Sequence, residues 1–420
     1  MSIGGEGGSG GEGGNSFWRG GGSAFSVFSA FSALLFGHPR PGLPQNAEPH
    51  RVVPVVFVPA DYPVDLELVR LNIQSLADVR EWYRRRLGGV TFTAEPMVVQ
   101  RSRHTFVELA GADFQNWWPL PDKEFADYGL PWNRNSRIKL LLLARGAGAW
   151  AGADSENGGI DSIARAGRAT NGALGGLAVI GDSSGAAVLT GICPRNGEAS
   201  HRRQTGGTAW WCNWNTYRGT IAHELGHTWG LPHPDSFREG FRCDSTVITN
   251  MQCHWAWPAD SLLPFEATHL RSLPGFGPAP DPILLSEVEP REGRGAVKAA
   301  SLLKEDSLLW LPGRGGGTGY PWSVTITVQS SPTTVSYDLP KDCHAVAMDV
   351  GRTEGERGDL EVVVALDGRE AWRGFVKPGS APLPLRLPCV AARRVTLTIT
   401  GLEGAMLGLG NPRIEPEGRD

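Results

Sequence analysis

The chain has 420 residues, enough for two domains with full hydrophobic cores and a tail. Its 40 basic and 44 acidic side chains leave a formal charge of −4, which argues against a nucleic-acid partner, because such binders carry a basic surplus. The 15 tryptophans outnumber the six tyrosines, a surplus that suits deep cores and sugar-stacking surfaces equally well.

Residues 1 to 22 are glycine-rich and cannot build a core. The uncharged run AFSVFSAFSALLFG, residues 24 to 37, has the length of a signal-peptide apolar region and is too short for a membrane span. Arg19 precedes it, while Glu6, Glu12 and the lack of a clean A-x-A site run against it. Together with the cysteines, this segment predicts export, with residues 1–47 as leader. No later stretch reaches membrane length, so the mature protein is expected to be soluble.

Residues 52 to 59, VVPVVFVP, predict a strand that starts late or lies at a sheet edge because of Pro54. Leucine and valine recur at helical spacing over residues 65 to 87, which end at Gly88 and Gly89. Strands are predicted at VTFTAEPMVV and at IKLLLLA, residues 138 to 144, giving an α/β layer. GGLAVIGD, residues 175 to 182, is a short apolar run between glycines, and AAVLT is a candidate continuation of the sheet. A helix over residues 216 to 229 follows. Residues 272 to 282, SLPGFGPAPDP, predict a linker. Beyond it, SVTITVQ, TTVSYDL, AVAMDV, LEVVVALDG, LPLRLP and RVTLTIT alternate apolar and polar residues, as the strands of an all-β sandwich do.

Cys193, Cys212, Cys243 and Cys253 lie mid-chain, and Cys343 and Cys389 near the end. Even numbers in each half suggest disulfides within domains, Cys343–Cys389 among them, and an oxidising compartment. The alternative is six buried thiols.

The segment HELGHTWGLPH, residues 223 to 233, carries the chemistry. His223 and His227 stand at i and i+4, so both imidazoles leave one face of a helix and can share a metal. Glu224 lies about 100° round the helix from His223, where it reaches a water on the metal without ligating it. Gly230 suits the left-handed residue that ends a helix, and Pro232 bars continuation, so His233 can return as third ligand. Three neutral nitrogens and one open position describe a catalytic zinc site.

These residues resemble the metzincin signature HExxHxxGxxH at every fixed position, and Met251 in ITNMQCHW resembles the methionine of the turn beneath the metal. The resemblance spans roughly residues 50 to 275. It implies a zinc-dependent endopeptidase with His223, His227 and His233 on the metal, Glu224 as proton acceptor and donor, and Met251 as support. It also implies a substrate-binding edge strand at Leu177, Ala178, Val179 and Ile180. His254, Trp255 and Trp257 either wall the pocket or fill the core. Several metzincins carry a tyrosine two positions after the methionine; Cys253 stands there, so no tyrosine role transfers. No cysteine precedes Cys193, which excludes an N-terminal cysteine switch. Asp154, Glu156 and Asp161 form either a Ca2+ loop or a solvated acidic loop, at a spacing unlike an EF-hand. Asp235 is a candidate hydrogen-bond partner for a ligand histidine.

Residues 283 to about 414 resemble a galactose-binding-like carbohydrate-binding module found on some bacterial glycosidases and peptidases, in ILLSEVEP, VSYDLP, LEVVVALDGREAW and RRVTLTITG. Two further segments of that module read YPWSVTITVQ and GAMLGLGNPRI here, so no ligand residue transfers. Trp310, Trp322 and Trp372 are candidates either for sugar stacking or for the core.

The expectation is an α/β (α+β) metzincin-like domain over residues 48–275 and an all-β sandwich over 283–416, working separately. Its expected partners are peptide or protein substrates and glycans, with no nucleic acid. The alternatives are a catalytically silent zinc-fold adhesin and a zinc hydrolase of a non-protein amide.

Overall fold

The computed structural model describes residues 50–110, 138–144, 151–155, 175–181, 214–231, 251, 257–278, 280–312, 316–329, 332–353 and 357–416. The expected leader and the runs AAVLT and His254-Trp255 lie outside these, as do Glu156, Asp161, His233, Asp235, Cys193, Cys212, Cys243 and Cys253.

The first half is built on β1 (Arg51–Val58), β2 (Thr91–Ala94), β3 (Val98–Arg101), β4 (Ile138–Ala144), β5 (Ala151–Ser155) and β6 (Gly176–Gly181). It also holds α1 (Leu66–Arg86) and the short α2 (Phe106–Ala110). The order is β3-β1-β4-β6-β5, parallel except for β5, which runs antiparallel to β6. Both faces of this sheet are covered, which is why its strands read as nearly continuous Val, Leu and Ile. Val52, Val56, Leu141, Leu143, Ala178 and Ile180 share one core cluster, and Val53, Val55, Phe57, Leu140, Leu142, Leu177 and Val179 share another.

Pro54 marks neither a late start nor an edge: β1 is central, and Pro54 faces Leu141 in β4. On its other side β1 pairs with β2 at Arg51 and Val52, then with β3 from Val55 onward. Pro54 sits in the gap between those partners, where the ladder asks for no N–H. The single strand expected across residues 90 to 99 is therefore two, broken at Glu95-Pro96.

The helix that carries His223 and His227, α3 (Trp214–Thr228), packs against β4, β5, β6 and α1. Tyr217, Ile221 and Leu225, one turn apart, face the core with Ala222. Tyr83 of α1 donates its hydroxyl to the Ala222 carbonyl at 2.8 Å, and Tyr217 donates to Asn72 Oδ1 at 2.7 Å. After α4 (Pro264–Arg271), the expected linker is partly structured: β7 (Phe276–Gly277) pairs with β2, and Phe276 is buried among Tyr83, Phe92 and Trp229.

The second half holds β8 (Ile283–Leu284), β9 (Val297–Ser301), β10 (Leu309–Leu311), β11 (Thr318–Tyr320), β12 (Trp322–Thr327), β13 (Thr333–Asp338) and β14 (Cys343–Gly351). It continues through β15 (Leu360–Leu366), β16 (Arg369–Val376), β17 (Leu383–Pro388), β18 (Arg394–Thr400) and β19 (Met406–Pro416). Two sheets, β17-β14-β19-β12-β9 with β8 on β19, and β13-β18-β15-β16, enclose one apolar core as a sandwich. Asp367 and Gly368, both at positive φ (48° and 78°), make the tight turn between β15 and β16. Cys343 and Cys389 form a disulfide between the ends of β14 and β17, with Cα atoms 5.7 Å apart. In the chain-entropy account, closing a loop of 46 residues is worth about 4 kcal/mol.

The division at residue 283 does not hold throughout. The β10–β11 hairpin leaves the sandwich and adds to the first sheet through β3, with Thr318 opposite Gln100 and Gly319 opposite Val99. Leu311 and Tyr320 enter the core beneath β1 and β4, while Leu302 and Trp322 enter the core beside α1. Asn411 of β19 donates to the carbonyls of Pro96 and Met97 at 3.3 and 3.1 Å. Arg70 of α1 bonds the Leu302 carbonyl at 2.8 Å and pairs with Asp306. Residues Glu48–Asp420 form one compact unit. Among the described residues, no helix is long and apolar enough to cross a membrane.

Candidate metal centre

The histidine pair is positioned by the way α3 ends. Gly230 adopts φ 83°, which closes the helix with two bonds: Gly230 N–H to the His227 carbonyl at 2.9 Å, and Leu231 N–H to the Gly226 carbonyl at 3.0 Å. This is the paired bonding of a Schellman stop, and it needs a residue that accepts the left-handed conformation. The turn carries the Leu231 carbonyl back over the helix, where it lies 2.7 Å from His227 Nδ1. A carbonyl only accepts, so Nδ1 carries the proton and Nε2 keeps its lone pair.

His223 and His227 then converge. Their Nε2 atoms are 3.0 Å apart, with rings 4.5 Å apart and nearly perpendicular at 85°. Two nitrogens on one tetrahedral zinc stand about 3.3 Å apart, given Zn–N distances near 2.0–2.1 Å. The pair therefore fits a zinc ion in spacing and in ligand type, and His227 fits it in tautomer as well. Both histidines are buried, at 5 % and 2 % exposure.

Glu224 lies between them in sequence and is equally enclosed, at 7 % exposure. Burial pushes its carboxyl up to about 8. Such a group takes and returns protons near neutral pH when a cation nearby draws that value down.

Met251 sits under this helix, fully buried. A Cβ placed on Gly226 would lie 2.7 Å from the Met251 sulfur, so the glycine inside the motif is what lets the methionine approach. The expected third ligand, His233, lies outside the described residues. Among the described residues, no group of three or more His, Cys, Asp or Glu gathers.

The expected edge strand is corrected. Leu177, Ala178, Val179 and Ile180 belong to β6, whose two sides are taken by β4 and β5. Their main-chain groups are used within the sheet and cannot hold a peptide. Among the described residues the sheet ends on this side at β5, which packs beside α3. Sequence reading missed β5 because AGADS is small and polar, and it placed Asp154 in a loop when the residue belongs to this strand. Trp257 is core: it packs on Trp82 with ring centroids 5.1 Å apart. Trp322 is buried, and Trp310 and Trp372 are partly buried against the cores.

No family model matches the sequence, and no curated relative matches it. Among solved structures, wild type OgpA from Akkermansia muciniphila is similar at 12% identity over 83% of this chain and 87% of that one, with a TM-score of 0.32. A CBM51 from Clostridium perfringens GH95, in complex with methyl-galactose, is 17% identical over 32% of this chain and 99% of its own, with a TM-score of 0.28. TmCBM61, in complex with beta-1,4-galactotriose, is 14% identical over 30% and 86%, with a TM-score of 0.20.

Proposed function

We propose that the chain is a zinc-dependent endopeptidase of the metzincin kind. The observation that carries the reading is the convergence of His223 and His227 Nε2 at 3.0 Å, with the His227 tautomer set by Leu231. His223 and His227 would hold the ion, joined by His233 on the strength of the sequence motif. Bound there, zinc supplies a Lewis acid that lowers the pKa of a water and polarises a carbonyl. Glu224 takes the proton from the attacking water and returns it to the leaving amine. Its burial keeps bulk water from competing for that proton. Among the described residues β5 is the last strand on its side, and its outer main-chain groups would give an extended peptide a strand to pair with.

The Cys343–Cys389 disulfide supports an extracytoplasmic setting. Targeting to glycans or glycoproteins through the sandwich is part of the proposal on sequence resemblance alone. Trp322 is buried, and Trp310 and Trp372 pack in part against the cores, which favours the core reading of these tryptophans over sugar stacking.

Glu224→Gln tests the chemistry. The variant should keep its zinc and lose cleavage by roughly 10²- to 10⁴-fold on a peptide library, since the amide cannot accept the proton. Cleavage equal to wild type would remove Glu224 from the mechanism. A wild-type protein that binds zinc yet cuts nothing would return the chain to the silent binding fold.

A further inference from the structure

Lys139 is the one charged residue in the apolar strand IKLLLLA, and it is 1 % exposed. Burying an ammonium costs several kcal/mol unless other groups compensate it. Lys139 reaches the end of the metal-binding helix. Nζ donates to the Thr228 carbonyl at 2.6 Å and stands 4.8 Å from the Trp229 ring centroid. A cation at a helix C-terminus meets the negative end of the helix dipole, and an aromatic face adds attraction.

A second feature of the sheet points to the same turn. Lys139 is paired in register with Gly176 of β6. A Cβ on Gly176 would lie 2.7 Å from Thr228 Cβ, so the bare backbone there admits the helix end closely enough for Lys139 to reach it. His269 of α4 places Nε2 2.9 Å from the next carbonyl, that of Trp229. The last carbonyls of α3 are thus held by side chains from elsewhere in the fold, next to the turn whose Leu231 carbonyl orients His227.

We infer that Lys139 is a positioning residue for the metal site: its buried ammonium fixes the Thr228 turn in the place from which Leu231 orients His227. The inference rests on the zinc reading above. It gives the lysine a role through His227 rather than any contact with substrate. Lys139 sets the ligand's aim; Glu224 does the proton transfer.

The test measures zinc affinity of the full chain by competition with a chelator, alongside the thermal midpoint of the metal-free protein. Lys139→Met keeps length and apolar contact while removing the charge. Gly176→Ala keeps the charge and pushes on the same turn from the sheet side. Tyr217→Phe removes a buried hydrogen bond about three turns away and serves as the control for general loosening. Lys139→Met and Gly176→Ala should each weaken zinc binding roughly tenfold or more, the range for partners of ligand histidines, with Tyr217→Phe near wild type. A purely structural role predicts instead that zinc affinity follows the thermal midpoint in all three variants, and that result would overturn the inference. So would wild-type affinity in both Lys139→Met and Gly176→Ala. A wild-type chain that takes up no zinc at all overturns the metal reading itself, which separates the two failures.

Discussion

The two halves of the molecule bury polar groups in different ways. In the half that carries α3, Lys139, His223, Glu224, His227, Asn72 and Glu266 are all buried, several with specific partners. The sandwich core is made almost wholly of Val, Leu and Ile, with Tyr337 and the Cys343–Cys389 bridge among them. The first arrangement costs stability, since each buried polar group must be matched. The second is an apolar core cross-linked by a disulfide. The sandwich half then reaches across to complete the other, through the β10–β11 hairpin, Leu302 and Trp322. Buried charge in the sandwich half lies at Arg352, Arg413 and, in part, Asp349, apart from its apolar core cluster.

The largest expected effect is the removal of that support. A chain ending near Asp281 loses the strand that pairs with β3, Leu311 and Tyr320 from one core, and Leu302 and Trp322 from the other. Burial of each large apolar side chain is worth about 1.5–3 kcal/mol, so four together match the whole stability of an ordinary domain. The truncated chain should show no cooperative thermal transition, contrary to the expectation that the halves work separately. A fragment that melts cooperatively and keeps zinc would restore that separation.

A smaller effect sharpens the comparison at the seam. Tyr320, from the hairpin, is hydrogen-bonded to Asp349 in β14. Burial pushes the Asp349 carboxyl up to about 6, against the lowering effect of the Tyr320 hydroxyl. The folded protein therefore holds this proton where the unfolded chain has released it. Stability from this group is complete below about pH 4 and declines as pH rises to about 6. In Asp349→Asn the thermal midpoint should vary less steeply over that interval, with Tyr320 still bonded. A slope unchanged from wild type would show that the seam does not titrate.

The site was legible in the sequence to the extent that it is local. His223, Glu224, His227 and Gly230 lie on one helix and its stop, where spacing alone fixes direction. The strands around Val335, Val362 and Leu397 were legible because one face is wet and one buried, so the residues alternate. What could not be read depends on partners distant in the chain. β10 and β11 are three residues each, too short to show a period, and Thr318 bonds Gln100 across 218 positions. Pro54 misled because its meaning lies in a change of partner from β2 to β3. Lys139 was visible as a charge in an apolar run, but only the helix end above it says what the charge is for.

The central claim is that His223 and His227 converge on one zinc ion. The most direct measurement is metal content per chain of full-length protein, purified without added metal and again after equilibration with zinc. The account predicts one zinc per chain, lost in both His223→Ala and His227→Ala. A wild-type chain that stays zinc-free after equilibration, or variants that keep the metal, would contradict it.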